Sequence, residues 1–147
     1  MKENKIKNIF IEGAITSNFI ANSIANHQSK TNIGAHNIFL GQVRMDEIDG
    51  KKVEAIEYTT APEIANKICN EIRENAFEKF DLTCMHIYHS LGPVKSGEIC
   101  LFVFVSSQRR KEVYKALPFI VDEIKEKAPI FGKEIFNDKS HQWKANN

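Results

Sequence analysis

The sequence predicts an α+β fold, a two-layer sandwich of a mainly antiparallel sheet with helices on one face, plus a small terminal β subdomain. Apolar patterns follow each other in the order two strands, helix, two strands, helix, with short additions at each end. The 147 residues are 42% hydrophobic and 27% charged, which is typical of one globular domain. We therefore expect residues 1–147 to form a single domain.

The amino-terminal elements are predicted to be a strand and a helix. Residues Ile6 to Ile11 form a short apolar run that is typical of a strand. Thr16 can then cap a weakly amphipathic helix, because a threonine hydroxyl accepts a hydrogen bond from the first helical turn. The apolar side of this helix contains Phe19, Ile20 and Ile24.

A hairpin is predicted next. Residues 34–44 and 52–60 are both β-like, and Asp49-Gly50 between them is a typical turn dipeptide. Gln42 and Arg44 share one face of the first of these strands, because side chains alternate along a strand.

A second helix and two strands follow. The helix starts at Pro62, and its apolar residues recur every four positions: Ile64, Ile68, Ile72, Ala76 and Phe80. Residues 83–91 form the next strand candidate, and Gly92-Pro93 with Ser96-Gly97 make the connection to residues 99–105. That last segment is apolar on both faces, as a central strand would be.

The third helix opens with Arg109-Arg110-Lys111, after a cap at Ser106 or Ser107. Its predicted buried face consists of Val113, Ala116, Leu117, Ile120, Val121 and Ile124. Pro118 falls on the opposite, polar side.

Large apolar residues between Lys133 and Lys144, around a polar turn, predict two short terminal strands.

Composition argues against several classes of function. A formal net charge of +1 disfavours a dedicated nucleic-acid binder. The chain has no CxxC pair and no histidine at metal-ligand spacing, so we expect neither a zinc site nor a disulfide framework, and three buried thiols. His86 and His89 have apolar neighbours on a predicted strand, which indicates core or edge positions rather than catalysis. Residues Met1 to Lys5 lack the apolar run of a signal peptide, and no stretch is long enough to span a membrane, which predicts a cytoplasmic protein.

Cations at both ends of the third helix indicate an anionic ligand. Lysines such as Lys125 suit a helix C-terminus, which has a partial negative charge, whereas Arg109 and Arg110 at the N-terminus oppose the helix dipole. A bound anion would explain the two arginines.

Four short segments stand out by their order and spacing: Gly41-Gln42-Val43-Arg44, Ile56-Glu57-Tyr58, the connection from Gly92 to Glu98, and Lys125 to Glu134. The first fits the pattern Gly-x-Val-Arg, and the last follows Lys-x-x-x-Pro-x-x-Lys-x-Glu except at its second lysine. In these segments the chain resembles the family of the large, catalytic subunit of molybdopterin synthase, over residues 34–143.

The resemblance implies an enzyme that converts a cyclic pyranopterin monophosphate into the dithiolene molybdopterin. It implies that the sulfur comes from the C-terminal thiocarboxylate of a small ubiquitin-like carrier, whose Gly-Gly tail enters the pocket of the large subunit. It also implies that this step needs no metal or nucleotide cofactor and no catalytic cysteine.

The resemblance further implies the site residues. Lys125 matches the principal catalytic lysine of the family. The residues that we expect to bind substrate are Gln42, Val43, Arg44, Arg109, Arg110, Gly132 and Glu134.

Two positions depart from the family pattern. Arg109 stands where most relatives have histidine. An arginine at this position could still bind phosphate, but it could not transfer a proton. Gly132 stands where the second lysine is usual. Either Lys133 takes that catalytic role after a shift of one residue, or Gly132 lets backbone N–H groups approach the ligand closely.

Arg109 and Lys125 are too far apart to contact one small ligand from a single helix. At a rise of about 1.5 Å per residue, their Cα atoms lie roughly 24 Å apart. We therefore expect a homodimer in which Arg109 and Arg110 of one chain complete a pocket that holds Arg44, Lys125 and Lys133 of the other. With two carriers, the assembly is the heterotetramer that the resemblance implies.

Two other functions remain open. If the substitutions at Arg109 and Gly132 have removed catalysis, the chain is a module that docks the carrier without turnover. Alternatively, it is a dimeric regulator that binds a phosphorylated metabolite at its interface. Carrier affinity without product would indicate the first, and tight phosphometabolite binding without carrier affinity would indicate the second.

Overall fold

The computed structural model describes residues 6–145, so the segment Met1 to Lys5, which lacks the apolar run of a signal peptide, lies outside the described residues. The elements in chain order are β1 (Phe10–Glu12), α1 (Ser17–His27), β2 (Ala35–Gln42), β3 (Glu47–Ile48), β4 (Lys51–Thr60), α2 (Pro62–Lys79), β5 (Cys84–Lys95), β6 (Ile99–Ser107), α3 (Arg110–Lys127), β7 (Ile130–Phe136) and β8 (His141–Trp143). None of the helices within residues 6–145 is long and apolar enough to cross a bilayer.

The strands form one sheet with the order β2-β6-β5-β4-β7-β8, in which β1 also pairs with β5 and β3 with β4. The β1–β5 pair is parallel and the other pairs are antiparallel, which confirms the predicted α+β class. The predicted terminal β subdomain is not separate. β7 pairs with β4 and β8 pairs with β7, because an uncovered edge of β4 would leave backbone hydrogen-bonding groups unpaired.

Helices cover both faces of the sheet, whereas the sequence prediction placed them on one. Val103 and Val105 of β6 belong to a core that includes α2 and α3, while Phe102 and Phe104 pack against the apolar side of α1. The reason is that β6 is apolar on both faces, so each face must be covered to exclude water. Its predicted role as a central strand is thereby confirmed.

The Asp49-Gly50 turn joins β3 to β4, so the prediction that it joins β2 to β4 is wrong. Both turn residues have positive φ, 53° and 77°, as a tight hairpin requires. β2 pairs instead with β6, which is distant in sequence. A turn dipeptide specifies only the reversal beside it and carries no information about this long-range pairing.

β5 continues through Gly92-Pro93, which was predicted to belong to the connection. Residues 84–89 pair with β6, whereas residues 92–95 pair with β4. Gly92 has a φ of +79°, a conformation that glycine adopts without strain, and it stands where the strand changes partners. β5 thereby links the two halves of the sheet, and the chain reverses at Ser96-Gly97.

The predicted helices are confirmed with changes of detail. The Thr16 hydroxyl accepts a hydrogen bond from the Phe19 N–H, at 3.1 Å, as expected of an N-cap. In α2 the buried residues are Ala65, Cys69, Ile72 and Ala76. Ile64 is exposed, contrary to prediction, because four residues exceed one helical turn and a strict four-residue repeat drifts around the helix.

α3 buries the six residues predicted for its apolar face, and Pro118 lies on its exposed side. Ser106 and Ser107 belong to β6, so the predicted serine cap is wrong. Arg109 is the N-cap residue, and its backbone N–H donates to the Ser107 hydroxyl at 3.3 Å. At the amino terminus, β1 begins at Phe10 rather than Ile6.

Candidate active site

An open cleft with an enclosed volume of about 90 Å³ lies where the end of α3 meets β4, β6 and β7. The lining residues are Gly41, Gln42, Ile56, Tyr58, His89, Cys100, Leu101, Ile124, Lys125, Ala128, Ile130, Gly132 and Lys144.

Three of the predicted site residues line this cleft. Lys125 lies in the last turn of α3, Gly132 is in β7, and Gln42 ends β2 beside an irregularity in the β2–β6 register. The chain leaves α3 at Ala128 and enters β7 at Ile130, which pairs antiparallel with β4. This reversal brings the lysine and the glycine to the same cavity.

The predicted arginines lie elsewhere. Arg44 is exposed beyond the end of β2, with its Nε 3.4 Å from the Asp46 carboxylate. Arg109 and Arg110 line a separate concavity at the other end of α3, together with Gly34 and Gln108. Within one chain, therefore, none of the three arginines is in the cleft.

The remaining predicted residues have other surroundings. Val43 is buried in the core. Lys133 is directly opposite Glu57 in the β4–β7 ladder, with its Nζ 3.6 Å from that carboxylate, on the face opposite to Gly132. Glu134 is 5% exposed and accepts a hydrogen bond from the Gln142 side-chain amide at 3.1 Å.

The structure adds His89, which the sequence analysis assigned to the core or to an edge. Its Nδ1 lies 2.8 Å from the Ser90 carbonyl oxygen, which can only accept, so Nδ1 carries the hydrogen. Burial, together with the positive charge of Lys125, lowers the pKa of His89 to about 4, against the opposing effect of the hydrogen bond to Ser90. The imidazole in the cleft is therefore neutral at neutral pH.

Tyr58 and Cys100 are two further polar groups of the cleft that were not predicted as site residues. The Tyr58 and His89 rings meet edge to face, with centroids 4.9 Å apart. Burial, followed by the neighbouring Cys100 and Glu134, raises the pKa of Tyr58, so its phenol stays protonated and can donate a hydrogen bond. Strand alternation could have indicated Tyr58, because it shares a face with Ile56 in β4.

A second cluster of polar groups lies outside the cleft. His27, Cys84 and His86 place potential metal-ligand atoms within 4.8 Å of one another, a grouping that the spacing in the sequence did not reveal. The two histidine Nε2 atoms are 2.8 Å apart, and the Lys30 ammonium lies 2.9 Å from the Cys84 sulfur. Because lysine and arginine charges also surround His86, the electrostatics oppose a further cation, and hydrogen bonding accounts for the cluster.

Because His86 and His89 are largely buried, we expect the stability of the fold to depend on pH. Burial is the main reason that the pKa values of His86 and His89 are both about 4 in the folded protein, below the ordinary 6.5. The unfolded chain then binds more protons between these values, so the stability is complete above pH 6.5 and is lost as the pH falls toward 4. We expect the free energy of unfolding to decrease by up to about 1.4 kcal/mol per pH unit for each histidine.

Urea denaturation between pH 7.5 and 5 measures this effect. His86→Gln is expected to reduce the slope, whereas His141→Gln, at an exposed position, is expected to leave it unchanged. Equal slopes for all three proteins would contradict the assignment.

Comparison with known proteins gives consistent similarities. The family model described as MoaE protein matches residues 15–127. The chain is 36% identical over 115 residues to the molybdopterin synthase catalytic subunit of Pyrococcus abyssi, covering 78% of this chain and 76% of that protein. It is 36% identical over 150 residues to the subunit of the same name from Dictyostelium discoideum, covering 99% and 90%.

Relatives differ in length. Against the Aspergillus fumigatus molybdopterin synthase catalytic subunit, identity is 38% over 120 residues, and the match spans 82% of this chain but 63% of the relative. Among solved structures, molybdopterin synthase from Staphylococcus aureus superposes with a TM-score of 0.80 at 28% identity, covering 96% of this chain and 99% of that chain.

A second solved structure, the complex of subunits 1 and 2 of molybdopterin-converting factor from Helicobacter pylori, has a TM-score of 0.77. Its identity is 18%, over 91% of this chain and 87% of that chain, so this likeness concerns the fold.

Proposed function

Because this chain belongs to the MoaE protein family, we propose that it is the catalytic subunit of a molybdopterin synthase, an enzyme of molybdenum cofactor biosynthesis. It transfers sulfur from the C-terminal thiocarboxylate of a small ubiquitin-like carrier to cyclic pyranopterin monophosphate, without a metal or nucleotide cofactor. The observation that supports this best is the position of Lys125, at a cleft that also contains a neutral histidine and a protonated tyrosine.

The surroundings of Lys125 suit a reaction between two anions. Both the thiocarboxylate and the substrate phosphate are negatively charged, and an ammonium group attracts either of them. Ile56, Leu101 and Ile124 are apolar walls of the cleft, so a charge interaction there is stronger than in water. Neutral His89 adds no positive charge, so at the end of α3 it is the Lys125 ammonium that attracts the anion.

Tyr58 complements the lysine. Its protonated phenol is a hydrogen-bond donor whose pKa is raised by burial, so it stays a donor throughout the neutral range. A donor in the same cleft can stabilise the oxygen that gains negative charge when, after the thiocarboxylate sulfur has bonded to the pterin, water attacks the acyl carbon and the acyl carbon–sulfur bond breaks, which leaves the sulfur on the pterin and a carboxylate on the carrier. We therefore assign Lys125 the catalytic role and Tyr58 the role of supporting donor.

Two glycines leave parts of the cleft wall without side chains. A Cβ atom at Gly41 would lie 3.1 Å from the Leu101 Cβ, and one at Gly132 would lie 2.9 Å from the Ile56 Cγ2. The walls at both positions are therefore formed by backbone. This shape fits the Gly-Gly terminus of the carrier, which has no side chains, and Gln42 at the same wall offers amide hydrogen bonds to it.

The arginines support a dimeric arrangement. α3 is one helix from Arg110 to Lys127, so the separation of roughly 24 Å between Arg109 and Lys125 applies. We propose that Arg109 and Arg110 of a second copy bind the substrate phosphate at the rim of the cleft, together with Arg44 of the first copy, which follows Gln42 of the cleft lining by two residues. The H. pylori neighbour was solved with a second subunit, which agrees with a heterotetramer of two such chains and two carriers.

The test is an assay of the purified chain with thiocarboxylated carrier and cyclic pyranopterin monophosphate. We expect dithiolene product, which can be detected after oxidation to its fluorescent pterin. No product with retained carrier binding would instead identify a docking module. Tight binding of phosphorylated pterins without affinity for the carrier would identify a regulator.

A further inference from the structure

A second lysine reaches the cleft from the end of the chain. Lys144 follows directly after β8, is half-buried and lines the same cavity as Lys125. In the sequence, Lys144 marks only the end of the predicted terminal strands. Its presence in the cleft depends on how β8 lies against β7.

The pairing of β7 with β8 fixes the direction of the Lys144 side chain. Lys133 is opposite Trp143 and Glu134 is opposite Gln142, and the Lys144 N–H donates to the Gly132 carbonyl at 2.8 Å. Residue 144 is therefore the neighbour of Gly132 across the two strands. Since side chains alternate, Lys144 shares the face of Gln142, whose amide contacts the Glu134 carboxylate on the cleft side of β7.

Gly132 has no side chain that could block the approach of Lys144 to the cleft. A Cβ atom there would lie 2.9 Å from the Ile56 Cγ2 and 3.3 Å from the Tyr58 Cε1, so β7 has no room for a side chain at this position without a shift of β4 side chains. The adjacent Lys133 points to the other face, toward Glu57. An ammonium group on this wall must therefore come from the neighbouring strand.

We propose that Lys144 supplies the second ammonium group of the cleft and binds the anion at the reacting end of a substrate, in place of Lys133. Lys125 and Lys144 approach the cavity from different elements, the end of α3 and the end of β8, so an anion between them is held by two charges. The anion is either the pterin phosphate or the thiocarboxylate of the carrier. This inference rests on the proposed function.

The experiment compares Lys144→Ala and Lys144→Arg with Lys133→Ala in the sulfur-transfer assay. We expect Lys144→Ala to lower kcat/KM by about 10- to 100-fold, the range for loss of a charged hydrogen bond. Lys144→Arg is expected to recover part of the loss, because it restores the charge. A rise in KM for the pterin identifies the phosphate as the bound anion, and a rise in KM for the carrier identifies the thiocarboxylate.

Lys139→Ala is the matched control, because this lysine lies in the β7–β8 turn and pairs with Glu54 at 2.7 Å. It is expected to retain the native rate and the same thermal midpoint as Lys144→Ala. Full activity in Lys144→Ala, or a loss confined to Lys133→Ala, would overturn the inference. Absence of product from the native chain would refute the proposed function instead, so the two failures are distinguishable.

Discussion

Lys125→Ala is expected to lower the rate of dithiolene formation by about 10²- to 10⁴-fold, the usual contribution of one acid–base or charge-stabilising group. Lys125 lies at the cleft beside neutral His89 and is the predicted catalytic residue that the structure places there. Lys125→Arg keeps the charge but changes its position and its acidity, so it is expected to restore binding of the carrier more than kcat.

Lys127→Ala is the control for this prediction. Lys127 belongs to the same last turn of α3, and its Nζ lies 3.1 Å from the Glu123 carboxylate, away from the cleft lining. We expect it to keep the native rate, because an exposed pair of this kind contributes little. Equal losses of activity in both variants would indicate a general effect on the end of α3 and would contradict a specific role of Lys125.

Two inactive variants are expected to restore activity when they form mixed dimers. A variant with alanine at both Arg109 and Arg110 lacks the phosphate donors, and Lys125→Ala lacks the catalytic group. If each site combines the arginines of one chain with the lysine of the other, a mixed dimer has one site with both defects and one intact site. Random mixing then restores about a quarter of the native activity.

Coexpression of the two variants with different affinity tags, followed by purification on both tags, isolates the mixed dimer for the assay. That species alone is expected to show about half of the native activity per dimer. An inactive mixed dimer would mean that the arginines act on the lysine of their own chain. Native activity in the arginine variant by itself would show that the concavity at the start of α3 does not serve the reaction.

Local patterns were sufficient for most of the helices and for the central strand. The Thr16 cap, the start of α2 at Pro62 and the six buried residues of α3 depend on residues within a few turns of one another, and the structure confirms them. The larger errors concern which strands pair with each other. The Asp49-Gly50 turn correctly indicated a reversal, but the strand that it reverses is β3, since β2 finds its partner in β6.

The site shows the same division. The resemblance to a family predicts Lys125, Gly132 and Gln42 as site residues, and the structure places these three at one cleft. The sequence did not show that Lys133 points away from the cleft. Side chains alternate along a strand, so neighbouring residues 132 and 133 of β7 must face opposite sides once both are known to belong to it.

The sequence by itself determined the α+β class, the amphipathic faces of the helices and the lysine at the end of α3, because these depend on periodicity and on caps within short segments. Only the tertiary structure decided which polar groups meet. His89, Tyr58 and Lys144 come from three different strands or their ends, and they share a cleft because β4, β5, β7 and β8 pair across long stretches of chain. Such pairing is set by the burial of the whole sheet, which no local pattern contains.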